Sequence, residues 1–102
     1  MSLPVNRLRA VHPGEVLRED FLQPLGMSVN ALSVALGVPA TRIHEIAKER
    51  RAVTADTAAR LARYVGGDAA SWLALQASYD LKTLPNLRDI ERQVAVRELA
   101  AI

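Results

Sequence analysis

Residues 28–47 read SVNALSVALGVPATRIHEIA, and the punctuation of this stretch decides the fold. Ser28 is a residue type that caps a helix start, because its side-chain oxygen can accept from a free backbone N–H. Behind it Ala31, Leu32, Ala35 and Leu36 recur at the spacing of one helical face. Gly37 takes the left-handed conformation of a tight turn at no steric cost, so the helix stops there. Pro39 suits the first position of a new helix, in which Ile43, Ile46 and Ala47 point inward. Two short helices meeting across Gly37-Val38-Pro39 form a helix-turn-helix, from Ser28 to about Glu49. In such a unit the second helix lies steeply across the first and fits a DNA major groove about 12 Å wide.

Outward from this unit the same kind of punctuation recurs. Towards the amino end, Pro13 suits a first helical position and Glu15 a third, where its charge favours the positive end of the helix dipole. The helix they open is expected to run to about Gln23, with Leu17, Phe21 and Leu25 on its apolar face and Pro24 and Gly26 ending it. Towards the carboxyl end, Thr54 caps a helix bearing Asp56 in its first turn and Ala58, Leu61, Ala62 and Val65 along one side. Gly66-Gly67 closes that helix, and Asp68 caps another carrying Trp72, Leu73, Gln76 and Tyr79. Pro85-Asn86 separates it from a last amphipathic segment with Leu87, Ile90 and Val94 in register. No stretch reads as a strand, so the class is all-α. The expected organisation is a basic arm over 1–11, a helix-turn-helix domain over 12–82 and a C-terminal helix over 83–102.

Composition narrows the function classes. A chain of 102 residues suits one domain, and burying roughly two-thirds of its unfolded surface makes its own core feasible but marginal. Its apolar half is dominated by Ala, Leu and Val, with Phe21, Tyr64, Trp72 and Tyr79 the only aromatics, a balance that favours helix over sheet. The absence of cysteine excludes disulfides and thiolate metal sites and suits a reducing compartment. No apolar run approaches the roughly 20 residues of a membrane span, and no signal peptide is recognisable, so the expected location is the cytoplasm. The net charge is only +2, but residues 1–66 hold nine Lys/Arg against six Asp/Glu, whereas residues 67–102 hold four against five. A polyanion would therefore meet the first two-thirds of the chain.

On the second helix of the unit, Ala40, Thr41, Arg42 and Glu45 lie nearest the start and face outward, where base edges are read in this docking mode. Arg42 can take guanine O6 and N7 in a bidentate contact, Glu45 can accept from a cytosine amino group, and the methyls of Ala40 and Thr41 can pack on thymine. Lys48, Arg50 and Arg51, together with Ser28 and Asn30 at the start of the first helix, are placed for phosphates, which position without specifying. The bland readings stand beside these. Short helices joined by glycine turns occur in bundles that never touch DNA, Arg42 and Glu45 can simply pair with each other, and Arg50-Arg51 can be solvated surface.

Several stretches carry a family resemblance. The segment 28–47 resembles the helix-turn-helix of the Cro and lambda-repressor-like (XRE) family of bacterial regulators. Within it, HPGEVLREDFLQPLGMS at 12–28, TADTAARLARYVG at 54–66 and WLALQASYDL at 72–81, in that order and spacing, resemble the HigA (VapI-like) antitoxins of toxin-antitoxin modules. The resemblance spans about residues 12–82. It implies a lambda-repressor-like five-helix DNA-binding core with an additional C-terminal helix, a homodimer on palindromic operator DNA, repression of its own promoter and neutralisation of a HigB-like toxin, one of the RelE-like ribonucleases that cut mRNA. Readers in that family are often Gln, Asn, Ser or Arg early in the recognition helix. Here Pro39 and Ala40 occupy that turn, which shifts readout towards Thr41, Arg42 and Glu45. A regulator without a toxin, and a helical interaction module that no longer binds DNA, are the alternatives.

Other constellations carry less. His12 and His44 lie in different elements with no cysteine to assist, short of the three or four converging ligands of a metal site. Glu15 and Glu19 are spaced as a carboxylate pair but serve the helix dipole and solubility as readily. No triad or phosphate loop is present, so neither catalysis, a cofactor nor a small-molecule substrate is expected. Trp72, Gln76 and Tyr79 form a stripe that is either core or, through Trp72 and Tyr79, a dimer or toxin interface. Leu87, Ile90 and Val94 need cover that a chain this short has little room to supply, which points to a partner subunit. Arg7 and Arg9 in the basic arm are candidates for gripping DNA or a toxin, a frayed terminus being the ordinary alternative.

Overall fold

A computed structural model describes residues 9–98; Arg7 of the basic arm and the end of the last segment lie outside them. Among the described residues there are six helices and no strand. Helix α1 spans 13–25 as three contiguous stretches, Pro13–Val16, Leu17–Leu22 and Gln23–Leu25. It is followed by α2 (Val29–Leu36), α3 (Ala40–Ala47), α4 (Ala55–Val65), α5 (Ala69–Lys82) and α6 (Leu87–Gln93). The first five enclose one core, built on Leu17, Leu22, Leu32, Leu36, Ile43, Ile46, Val53, Ala58, Leu61 and Trp72.

The caps read from the sequence are in place. Ser28 Oγ accepts from the Ala31 N–H at 3.0 Å, and Asp68 Oδ1 accepts from the Ser71 N–H at 2.7 Å. Thr54 Oγ1 faces the Thr57 N–H at 3.5 Å. Gly37 has φ +70° and Gly26 φ +59°, the left-handed values that let each helix close on itself. Pro39 departs from its expected place: its ψ of 143° keeps it extended, so it caps α3 from outside and Ala40 is the first helical residue.

Two apolar faces are rotated from their expected settings. The middle stretch of α1 is π-helical, and the Gln23 N–H reaches back five residues to the Arg18 carbonyl. Such wide turns set residue i+5 over residue i, so Leu22 joins Leu17 in the core while Leu25 is left 61% exposed. Phe21 is only partly buried. On α2, Ala31 and Ala35 are exposed and Ser33 is buried between Leu32 and Leu36. Its hydroxyl donates to the Val29 carbonyl at 2.8 Å, which removes the cost of burying it.

Most of the Trp72-Gln76-Tyr79 stripe is core. Trp72 is 7% exposed and its ring lies 5.6 Å from that of Phe21, which withdraws it from the partner interface for which it was a candidate. Gln76 Oε1 accepts the Val53 N–H at 2.9 Å, tying the loop after α3 to α5. Tyr79 remains half-buried, edge-on to the buried ring of His12 at 4.8 Å. Among the described residues of the last segment, helix is confined to the seven of α6, which has no buried residue, and Val94 lies beyond it in extended backbone.

The backbones of α1 and α3 approach closely at Gly14. A Cβ on Gly14 would lie 1.9 Å from the Ile46 carbonyl oxygen, so the backbones meet where only glycine fits. Gly14→Ala should therefore destabilise the fold by about 3 kcal/mol or more, at the upper end of overpacking costs. Urea unfolding checks this against Gly26→Ala, where a Cβ meets nothing within 4 Å and only the positive φ is penalised; the Gly14 variant should be the less stable of the two.

Candidate nucleic-acid interface

The outward face of α3 is the candidate interface, and arginines from other helices hold the turn that leads into it and its carboxyl end. At the start, Arg60 of α4 donates from Nη1 to the Leu36 carbonyl at 2.9 Å and reaches the Gly37 carbonyl at 3.5 Å. A guanidinium suits that position, because the carbonyls ending α2 carry the negative end of its dipole. At the far end, Arg18 of α1 donates to the Ala47 carbonyl and pairs with Glu49 at 3.1 Å. Glu49 has φ +64°, a left-handed conformation uncommon outside glycine, and the Arg50 N–H closes the turn by returning to the Glu45 carbonyl at 2.9 Å.

On this face Thr41 is exposed, and Ala40, Arg42 and Glu45 are half-buried. Arg42 does not pair with Glu45. Its Nη1 donates to Asp56 Oδ2 at 2.9 Å, and the same oxygen accepts from Arg60 Nε at 2.9 Å. Arg60 foremost, with Arg42 adding, holds the Asp56 carboxyl below the usual carboxylate range. Glu45 instead faces Arg50 at 3.7 Å, so a cytosine amino group would compete with that arginine for it. His44 Nε2 and Asn30 Oδ1 lie 3.2 Å apart, linking the two helices of the unit on the exposed side. Ser28, Lys48, Arg50 and Arg51 are exposed.

The chain is 57% identical over 84 residues to virulence-associated protein I of Dichelobacter nodosus, covering 80% of this chain and 78% of that one. It is 34% identical to antitoxin HigA-1 of Vibrio cholerae, covering 72% of this chain and 69% of the relative. The chain belongs to the HigA family of helix-turn-helix antitoxins. Its fold superposes on the Pseudomonas aeruginosa antitoxin HigA, solved with the higBA promoter, with a TM-score of 0.82 and 40% identity over 85% of this chain and 97% of that one. No protein-family model matches the chain.

Reading the sequence of this HigA-family chain by itself misses the residues that aim α3. The bonds of Arg18, Asp56 and Arg60 to Glu49, Arg42 and Leu36 span 14 to 31 positions, and no local pattern marks them; only the Asp56–Arg60 pair has the i,i+4 spacing that a sequence can show. Gly14 did leave a signal, as a glycine inside a helical first turn, which often means close backbone approach. Arg9, a candidate for gripping a partner, is engaged within the chain: its Nη1 and Nη2 meet the Glu15 carboxylate at 2.7 and 2.9 Å. Among the described residues no group of three or more His, Cys, Asp and Glu could hold a metal ion. No helix among them is long and apolar enough to cross a membrane.

His12 is the remaining support. It caps α1 with Nδ1 accepting the Gly14 N–H at 2.8 Å, a role that requires Nδ1 unprotonated. Burial pushes its pKa below the ordinary 6.5. The unfolded chain then binds the proton more readily than the folded one, so stability falls as pH drops through the unfolded value and levels off below the folded one. Urea unfolding at pH 7 and pH 5 should show the native chain losing stability at pH 5. His12→Asn, which keeps a capping oxygen and does not titrate, should lose distinctly less over that interval.

Proposed function

We propose that the chain is an antitoxin that binds operator DNA as a dimer through α3, represses its own promoter and neutralises a RelE-like mRNA-cleaving toxin without catalysis of its own. The observation that carries this reading is the helix-turn-helix with the end of α2 held by Arg60, the end of α3 held by Arg18 and the outer face of α3 presented outward, in a fold shared with a HigA solved on its promoter. Arg42, Thr41 and Glu45 are the proposed base readers, with Ala40 the least favoured because it has only a methyl to offer. Ser28, Asn30, Lys48, Arg50 and Arg51 are the proposed phosphate contacts. Such a regulator works in the cytoplasm beside the chromosome.

The dimer reading rests on α6. Leu87, Ile90 and Val94 are exposed in the single chain, at 46%, 36% and 65%. A second copy covering them would leave two recognition helices to meet two half-sites. Ile90→Glu should convert the dimer to monomer by light scattering; an unchanged mass would remove this interface.

Growth of cells expressing the small reading frame beside this gene, alone and with this chain, tests the antitoxin role. Arrest relieved by co-expression is the expected result, and arrest without relief would leave a regulator only. For DNA, Arg42→Ala should relax preference at one base position at a cost of about 1 to 3 kcal/mol. Lys48→Ala should weaken operator and scrambled duplexes alike and reduce the salt dependence. Mobility shifts at two salt concentrations separate the two effects.

A further inference from the structure

We propose that Asp56 is a specificity-determining positioning residue: from the first turn of α4 it holds the guanidinium of Arg42 at the angle from which it reads its base. The inference rests on Arg42 being a reader, the assignment made above.

A chain of contacts carries it. Arg60 is fixed to the carbonyl end of α2 through Leu36, its Nε meets Asp56 Oδ2 at 2.9 Å, and that oxygen receives Arg42 Nη1 at 2.9 Å. The orientation of Arg42 is thereby referred to the body of the domain rather than to its own flexible stem. Arginine has five N–H donors in a planar fork, and Asp56 engages only Nη1, which leaves a pair of donors for the two acceptors of guanine. Asp56 is more than half exposed, so the pair adds little to folding stability. Its effect is to restrict Arg42 before DNA arrives, which lowers the ordering cost of binding. A carboxylate beside the reading face also repels phosphates, a penalty that falls on every sequence and is offset only where Arg42 finds its base.

The test uses the full chain and a duplex carrying its own upstream region, with each base pair substituted in turn. Asp56→Ala should bind scrambled duplex more tightly and lose about fivefold or more of the preference at the position where Arg42→Ala loses its own. In the Arg42→Ala background, adding Asp56→Ala should change that preference no further. Asp56→Asn keeps an acceptor oxygen while losing the charge, so it should retain most of the preference while gaining affinity for all sequences. Preference intact in Asp56→Ala but lost in Arg42→Ala would overturn the positioning role. An equal further loss in the Arg42→Ala background would overturn it too, by showing that Asp56 acts through the turn. If Arg42→Ala itself lost no preference at any position, the reader assignment would fail, and this proposal with it.

Discussion

The contact on which the rest of the structure depends is the one between the backbones of α1 and α3. With no side chain at Gly14, the first turn of α1 lies directly against the Ile46 carbonyl, and a single added carbon would sit 1.9 Å from that oxygen. This approach lets Leu17, Ile43 and Ile46 close over one another with essentially no exposed surface. His12 secures the turn by capping it from within the core, and its ring packs against Tyr79 of α5. The recognition helix is therefore seated by a steric fit that tolerates no enlargement, supported by a hydrogen bond that tolerates no protonation.

Around that seat, charged side chains do the aiming. Arg60 takes the carbonyl end of α2 and Arg18 the carbonyl end of α3, each matching a positive planar fork to the negative end of a helix dipole. Asp56 then joins Arg60 to Arg42. Ion pairs so exposed contribute little to stability, so their importance lies in direction. The core decides where α3 sits, and the arginine-carboxylate chain decides where one of its side chains points. The helix after this domain does neither, since α6 buries none of its residues in the single chain.

The helix-turn-helix was legible because its signals are local. A serine cap and a glycine in left-handed backbone act within a few residues of themselves and are found doing so, while Pro39 stands one place outside the helix it was expected to open. The faces were legible only as far as helices are regular. Leu25 was assigned to the core on α-helical spacing, but π-helical turns carry Leu22 there instead. Ala35 was expected inward, yet Ser33 takes that side of α2 because its hydroxyl finds a carbonyl one turn back. Trp72 and Tyr79 shared a stripe that periodicity could not divide between core and surface, and packing against Phe21 and His12 divides it.

The sequence by itself determined the five helices of the core, the turn and the family, because caps, periodicity and the ordered motifs at 12–28, 54–66 and 72–81 are properties of neighbouring residues. Only the tertiary structure decided that Arg42 answers to Asp56 rather than to Glu45, that Arg60 binds the end of α2, and that Arg9 turns back on Glu15. Those pairings depend on which helix ends are brought within 3 Å of which side chains. That is set by how closely the helices can pack, through contacts such as Gly14 on Ile46, and no local pattern records it.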